Sequence, residues 1–194
     1  MKTKIYHDLD HLAGTWVADP ETDRVLAEMD KVDCLPTPCF HIVLVAPEIP
    51  QNTGTIGRLC VCTGARLHLI KPLGYSLDEA SVRRAGLDYW PHLDLCVHDD
   101  WEAFLTAAKP TRMLFASTKG GRSFYEFQFT PGDFLVFGNE GHGLPESFYE
   151  RYRDSLAIIP MPGAHARSHN LANAAAIVLY EAMRQTVLQT NPHA

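Results

Sequence analysis

From Phe40 onward, short apolar runs alternate with stretches whose apolar residues recur at helical spacing. That alternation is the mark of an α/β fold, a largely parallel sheet flanked by helices. The runs predict strands at His41 to Ala46, Arg66 to Ile70, Leu93 to Val97, Met113 to Ser117, Phe134 to Phe137 and Leu156 to Ile159. The intervening periodicity predicts helices at Thr53 to Thr63, ended by Gly64, at Leu77 to Ala85, ended by Gly86, and at Asp99 to Ala108, ended before Pro110. A long last helix runs from about Asn170 to Leu188. There is no internal repeat and no low-complexity tract.

Before Phe40 the pattern is different. Residues 1–39 are acidic and broken by Pro20, Pro36 and Pro38, with one short helix expected after Asp19, carrying Val25, Leu26, Met29 and Val32 on one face. We read them as an extension to a domain spanning residues 40–194. Whether the extension is a docking element, a disordered tail or the product of an upstream start codon stays open at this level.

Composition adds bounds. At 194 residues and 46% hydrophobic content the chain can bury one sizeable core. No apolar run is long enough to span a bilayer and no apolar signal core follows Met1, so a soluble, cytoplasmic protein is expected. Cys34, Cys39, Cys60, Cys62 and Cys96 form no C-x-x-C pair, which fits reduced thiols and no metal. The net charge of -6 argues against a nucleic-acid partner at first sight. However, residues 1–40 hold four Lys/Arg against eight Asp/Glu, leaving thirteen against fifteen for the remainder. A nearly neutral body can still present a local basic face, with Arg58, Arg66, Lys71, Arg83, Arg84, Lys119, Arg122 and Arg167 as its candidates.

In a parallel sheet, ligands bind beyond the carboxyl ends of the strands, and three segments there are unusual. Pro47-Glu48-Ile49-Pro50-Gln51-Asn52-Thr53-Gly54 ends a strand and opens a helix, offering backbone N–H groups and small polar side chains. Arg58 follows among Ile56, Leu59 and Val61, a poor place for an arginine with no anion to meet. Gly138-Asn139-Glu140-Gly141-His142-Gly143-Leu144-Pro145 places three glycines after an apolar strand, suited to close backbone approach, with Glu140 able to cap donors and fix the loop. Its spacing is not the dinucleotide fingerprint, which disfavours an NAD-dependent dehydrogenase, and no phosphate-binding Gly-Lys-Ser/Thr occurs. The third segment runs from Met161 to Asn170 and leads into an alanine-rich helix, with Asn170 and Asn173 at the helix start.

Together with Arg83-Arg84-Ala85-Gly86-Leu87-Asp88-Tyr89, these segments resemble the motifs of the SPOUT superfamily of methyltransferases, most closely the TrmL-type (YibK-like) tRNA ribose methyltransferases. The likeness covers about residues 41 to 186 and leaves out the extension. It implies a deep trefoil knot in the C-terminal half, an exception to the usual avoidance of threaded chains, and S-adenosylmethionine as cofactor. Carried over by position, the cofactor would meet Ala116, Ser117, Thr118, Gly138, Glu140, Gly143, Ile159, Met161 and Ser168. Arg58 matches the family arginine at the reacting hydroxyl. Asn52 would shape the site, and Ser168 and Asn170 would hold cofactor and ribose. Because arginine stays protonated, lowering the hydroxyl's pKa or gripping a phosphate suits Arg58 better than base catalysis. The resemblance points to tRNA as partner, to nucleotide 34 of leucine tRNAs, and to a homodimer through the knotted domain. Arg83, Arg84, Lys119 and Arg167 are the RNA-binding candidates, with Tyr89 and Trp90 as further candidates for stacking, although aromatics so placed are more often core. Methylation of rRNA or another tRNA position, and a non-catalytic knotted RNA-binding module, remain the alternatives.

Overall fold

The computed structural model describes residues 38–76 and 89–190. The predicted helix Leu77 to Ala85, Arg83, Arg84, Cys34 and the extension up to residue 37 lie outside the described residues. In chain order the elements are β1 (His41–Val45), α1 (Pro50–Thr63), β2 (Arg66–Ile70), β3 (Leu95–His98), α2 (Trp101–Ala108), β4 (Met113–Ala116), β5 (Arg122–Ser123), β6 (Phe134–Phe137), α3 (Glu146–Arg151), β7 (Leu156–Ile158) and α4 (Leu171–Thr190). The strands form one sheet in the order β3-β2-β1-β6-β4-β7-β5. Every ladder between them is parallel.

Parallel strands buried on both faces need apolar residues at successive positions, which is what the unbroken runs supply. Ile42, Leu44, Leu67, Leu69, Leu135 and Phe137 face α1 and α4, where Ile56, Cys60, Ala175, Val178, Leu179 and Ala182 close the layer. On the other face Val43, Val45, Ile70, Phe115 and Val136 meet Phe104 of α2 and Phe148 of α3. The alanines of α4 let its backbone lie close to the sheet. The buried Cys60 thiol is pushed up to about 12, burial being the main cause, and the described cysteines are all free.

Boundaries moved where local chemistry overrode periodicity. α1 starts at Pro50, three residues before the predicted Thr53, because a proline loses nothing at the first helical position, where its missing N–H would be unpaired anyway. It stops at Gly64, which takes the left-handed φ of 68° and donates its N–H to the Cys60 carbonyl. β3 begins at Leu95 instead of Leu93, since Trp90–His92 forms a 3-10 turn and Leu93 is its exit. α2 begins after Asp100, whose carboxylate accepts from Ala103 N at 2.7 Å. The two-residue β5 and six-residue α3 were not predicted; neither is long enough to show a period.

One feature of the sheet has no signal in the pattern. His41, His68 and His98, on three adjacent strands, join ring to ring: His41 Nδ1 lies 3.0 Å from His68 Nε2, and His68 Nδ1 lies 3.0 Å from His98 Nε2. Phe134 stacks on His41 and Phe104 meets His68 edge-on. Burial, then the neighbouring His41 and His98 rings and Arg66, pushes His68 down to about 3. Burial, then Arg66, pushes His41 down to about 4, and burial lowers His98. Folded pKa values below the unfolded value of about 6.5 mean that the unfolded chain binds more protons throughout the interval between them. Stability is therefore complete above that value and is lost as pH falls toward 4. For the buried His68 alone the loss at pH 4.5 is about 3 kcal/mol, measurable as a lower urea midpoint at pH 4.5 than at pH 7.5. Equal midpoints would show that the ladder does not exclude protons.

Candidate active site

Because all strands run the same way, the loops after β1, β4, β6 and β7 emerge at one edge, and the amino end of α4 lies beside them. They enclose a cavity of about 440 Å³, within the roughly 300–1,000 Å³ of small-molecule sites. Its floor is apolar, from Phe137, Leu144, Ile158, Ile159 and Leu171, and its rim is polar.

The β6 loop forms the tightest wall. Asn139 and Gly143 exchange both backbone hydrogen bonds at 3.0 Å, pinching residues 140–142 into a turn. Gly143 holds a φ of 75°, and a Cβ on Gly138 would collide with the backbone of Gly143 and Leu144. Gly138 leaves no room for a side chain, and the left-handed φ of Gly143 favours glycine. Asn139 Oδ1 accepts from His142 N at 2.6 Å, and Asn139 Nδ2 donates to Glu48 Oε1 at 3.2 Å.

Glu140 ties this loop to the β1 loop. Its carboxylate accepts from Glu48 N at 2.8 Å, Ile49 N at 3.3 Å and Asn52 Nδ2 at 2.8 Å. Burial alone would push this carboxyl up, but the bonds from Asn52 and from the backbone N–H groups outweigh it and hold the group below its ordinary value. Asn52 Oδ1 in turn accepts from Asn170 Nδ2 at 2.9 Å, and Asn170 Oδ1 caps α4 by accepting from Ala172 N at 2.9 Å. One continuous chain of polar contacts thus links all three unusual segments. The expectation of open N–H groups at Asn52 is corrected: with α1 starting at Pro50, Asn52 lies in the first turn, its N–H bonds the Ile49 carbonyl, and its buried amide is used at both ends. Asn52→Ala would leave Glu140 and Asn170 each short of a partner, and we expect it to cost about 1–3 kcal/mol, readable as a lower denaturation midpoint. An unchanged midpoint would mean that water replaces the amide.

The β4 loop supplies Ala116, Ser117, Thr118 and Lys119. Ser117 Oγ lies 3.0 Å from Tyr149 OH and accepts from Lys119 N at 3.1 Å, while the Lys119 ammonium sits 4.7 Å from the Tyr149 ring centre and pairs with Glu146 at 3.4 Å. From the β7 side come Ile159, Met161, Arg167, Ser168, His169 and Asn170, much of it exposed loop. The structure therefore brings Asn52, Ala116, Ser117, Thr118, Lys119, Gly138, Glu140, Gly143, Ile159, Met161, Arg167, Ser168 and Asn170 to one cavity. Sequence reasoning missed Ile49, His142, Tyr149 and His169 as lining residues. His142 and His169 were legible inside the quoted segments, whereas Tyr149 reaches the cavity from the unpredicted α3.

Arg58 does not line this cavity. It is exposed on α1 with its guanidinium 4.8 Å from the Tyr89 ring centre. Tyr89 donates to the Gly54 carbonyl at 2.5 Å, and Tyr89 and Trp90 flank Gly57 of α1, so both aromatics pack on the helix instead of standing free to stack on bases. Arg66 and Lys71, from the list of basic-face candidates, pair with Asp94 and Asp99 at 2.8 Å, and Arg122 lies over Phe127. Among the described residues no group of three His, Cys, Asp or Glu could hold a metal ion.

Residues 39–180 match the SpoU rRNA methylase family. The chain belongs to this family. A tRNA (cytidine(34)-2'-O)-methyltransferase of Burkholderia ambifaria is 51% identical over 150 residues, covering 75% of this chain and 95% of its own length. A solved structure described as giving insight into 2-OH methylation of C/U34 on tRNA is 48% identical, with a TM-score of 0.69, and covers 75% of this chain and 95% of that one. The SpoU methyltransferase AviRb from Streptomyces viridochromogenes, solved in complex with AdoMet, is 28% identical with a TM-score of 0.62 over 75% of this chain and 57% of that one. As a SpoU family member, the chain places its cavity where the three family-like segments meet, with a glycine cradle and an apolar floor that suit a nucleoside-sized ligand.

Proposed function

We propose that the protein transfers a methyl group from S-adenosylmethionine to the ribose 2'-hydroxyl of nucleotide 34, cytidine or a modified uridine, in leucine tRNAs. The observation that carries this reading is the convergence of the β4, β6 and β7 loops on one cavity, cross-braced by Glu140, Asn52 and Asn170. The relative from Burkholderia ambifaria, named for that position, supports the choice of substrate.

The cofactor would supply an already activated methyl group. Ala116, Ser117 and Thr118, the backbone at Gly138 and Gly143, and Ile159, Met161 and Ser168 would hold it, with Glu140 fixing the loop's shape. The protein's remaining work is to align the hydroxyl and relieve it of its proton. Arg58 would act on that hydroxyl or the adjoining phosphate. Lys119 and Arg167 at the cavity rim, with Arg83 and Arg84, would grip the RNA backbone.

A knotted C-terminal half and a homodimer complete the proposal. β6 lies between β1 and β4, so the chain returns to the middle of the sheet after leaving it, and after β7 it crosses back to lay α4 beside α1. That order is compatible with a threaded path. Arg58 lies off its own cavity, and Tyr180 exposes 56% of its surface on α4, which supports a second copy docking on α1 and α4. Residues 1–39 would lie outside the catalytic domain. No helix of the described residues is long and apolar enough to cross a membrane, and a tRNA substrate would place the work in the cytoplasm.

The test is incubation with labelled S-adenosylmethionine and bulk tRNA from a strain lacking its wobble ribose methyltransferase, followed by nucleoside analysis. Label is expected in 2'-O-methylcytidine or a 2'-O-methylated uridine at position 34. Label confined to another tRNA position, or none, overturns the assignment.

A further inference from the structure

An arginine that serves a reaction works best when it is held before the substrate arrives, because ordering a long, exposed side chain during the step costs rate. Arg58 is exposed on α1, and Tyr89 meets its guanidinium with the ring centre 4.8 Å away. That lies within the roughly 6 Å over which a ring face attracts a cation. Such a contact restrains the charge and uses up none of the five N–H donors of a guanidinium.

Tyr89 is itself anchored at both ends. Its hydroxyl donates to the Gly54 carbonyl at 2.5 Å, and its own carbonyl accepts from His92 N at 2.9 Å, where the 3-10 turn Trp90–His92 begins. Gly54 stands four residues before Arg58, so its carbonyl is the acceptor that α-helical geometry gives to the Arg58 N–H. Helical side chains lean toward the amino end of their helix, and Arg58 therefore reaches back over the turn to which the tyrosine is tied. Gly57, next to Arg58, fits against the same bed. A Cβ there would lie 3.5 Å from the Tyr89 ring, 3.4 Å from Trp90 and 3.2 Å from Leu93.

We propose that Tyr89 is a positioning residue for methyl transfer: its ring holds the Arg58 guanidinium in place, and its bond to Gly54 keeps the ring in register with α1. The inference rests on the role given to Arg58 above. Like Arg58, Tyr89 does not line the cofactor cavity. Its loss therefore leaves cofactor binding alone and slows the transfer step.

The test is single-turnover methyl transfer at saturating S-adenosylmethionine and tRNA, with cofactor affinity measured separately by calorimetry. The chains compared are wild type, Arg58→Ala, Tyr89→Phe, Tyr89→Leu, the double variant of Arg58→Ala with Tyr89→Leu, and Leu93→Ala, which thins the same packing at Gly57 and leaves the Tyr89 ring in place. Pentafluorophenylalanine in place of Tyr89 keeps the shape of the ring and reverses the charge of its face, so it decides the matter if Tyr89→Leu does not fold. Tyr89→Leu and the fluorinated ring are expected to slow transfer about 10-fold, with Tyr89→Phe within about threefold of wild type. Leu93→Ala keeps the wild-type rate, and cofactor affinity stays within about twofold throughout. In the Arg58→Ala background, Tyr89→Leu costs nothing further, since the group it positions is gone. A loss below about threefold with the fluorinated ring, an equal loss from Tyr89→Leu in both backgrounds, a Tyr89→Phe or Leu93→Ala rate as low as that of Tyr89→Leu, or weakened cofactor binding each overturns this proposal alone. Wild-type turnover in Arg58→Ala removes the arginine from the mechanism and this proposal with it, and a wild-type protein that methylates no RNA overturns the enzyme reading as well.

Discussion

Gly138→Ala is expected to weaken S-adenosylmethionine binding by on the order of 100-fold while leaving the helical circular dichroism intact. The added methyl would occupy the space of the Gly143 and Leu144 backbone, and no side-chain rotation can relieve a clash between two main chains. The pinched turn must therefore open. The Asn139–Gly143 pair is then lost and Glu140, two residues on, is pulled from Glu48, Ile49 and Asn52. A displacement of about 1 Å in a preorganised site is enough for an effect of this size. The change sits beyond the end of β6, so the core layers on either side of the sheet remain packed. Calorimetric titration of the folded variant checks it; wild-type affinity would mean that this cavity is not where the cofactor binds.

How much of this was legible beforehand depended on whether the signal was local. The runs of β2 and β6 are so continuous that both strands fall where predicted. The three loop segments carried their own glycines, prolines and asparagines, and all of them reach the cavity. The strand order was not legible, because nothing in the run at Phe134 says that it will enter between β1 and β4. Partnerships across the fold were hidden for the same reason. Asn52, Glu140 and Asn170 each looked like a capping or loop residue, and only contacts spanning 88 and 118 residues turn them into one brace. The histidine ladder was invisible because His41, His68 and His98 sit singly in three apolar runs, where each passes for an isolated polar interruption. Tyr89 and Trp90 were legible the other way: aromatics of this kind read more readily as core than as stacking groups, and both pack against α1.

Arg58→Ala is expected to lower methyl transfer by about 100- to 1,000-fold, the range for removing one charge-stabilising donor, with cofactor affinity within about twofold of wild type. The second half follows from position, since Arg58 does not line the cavity of its own chain. Six helical residues separate it from Asn52, which places it about 9 Å along α1 and about 120° around it, on the face carrying Tyr89. If Arg58 serves a reacting hydroxyl, the homodimer proposed above would bring it to the cavity of the other copy. Mixing then becomes decisive. In random heterodimers of Arg58→Ala with Gly138→Ala, the intact cavity of the first chain faces the intact arginine of the second, so about a quarter of wild-type activity should return from two inactive parents. An arginine acting within its own chain would restore nothing, because each chain would carry one broken half. Unchanged turnover in Arg58→Ala itself would remove the arginine from the mechanism and leave its contact with Tyr89 as a packing interaction on the outside of α1.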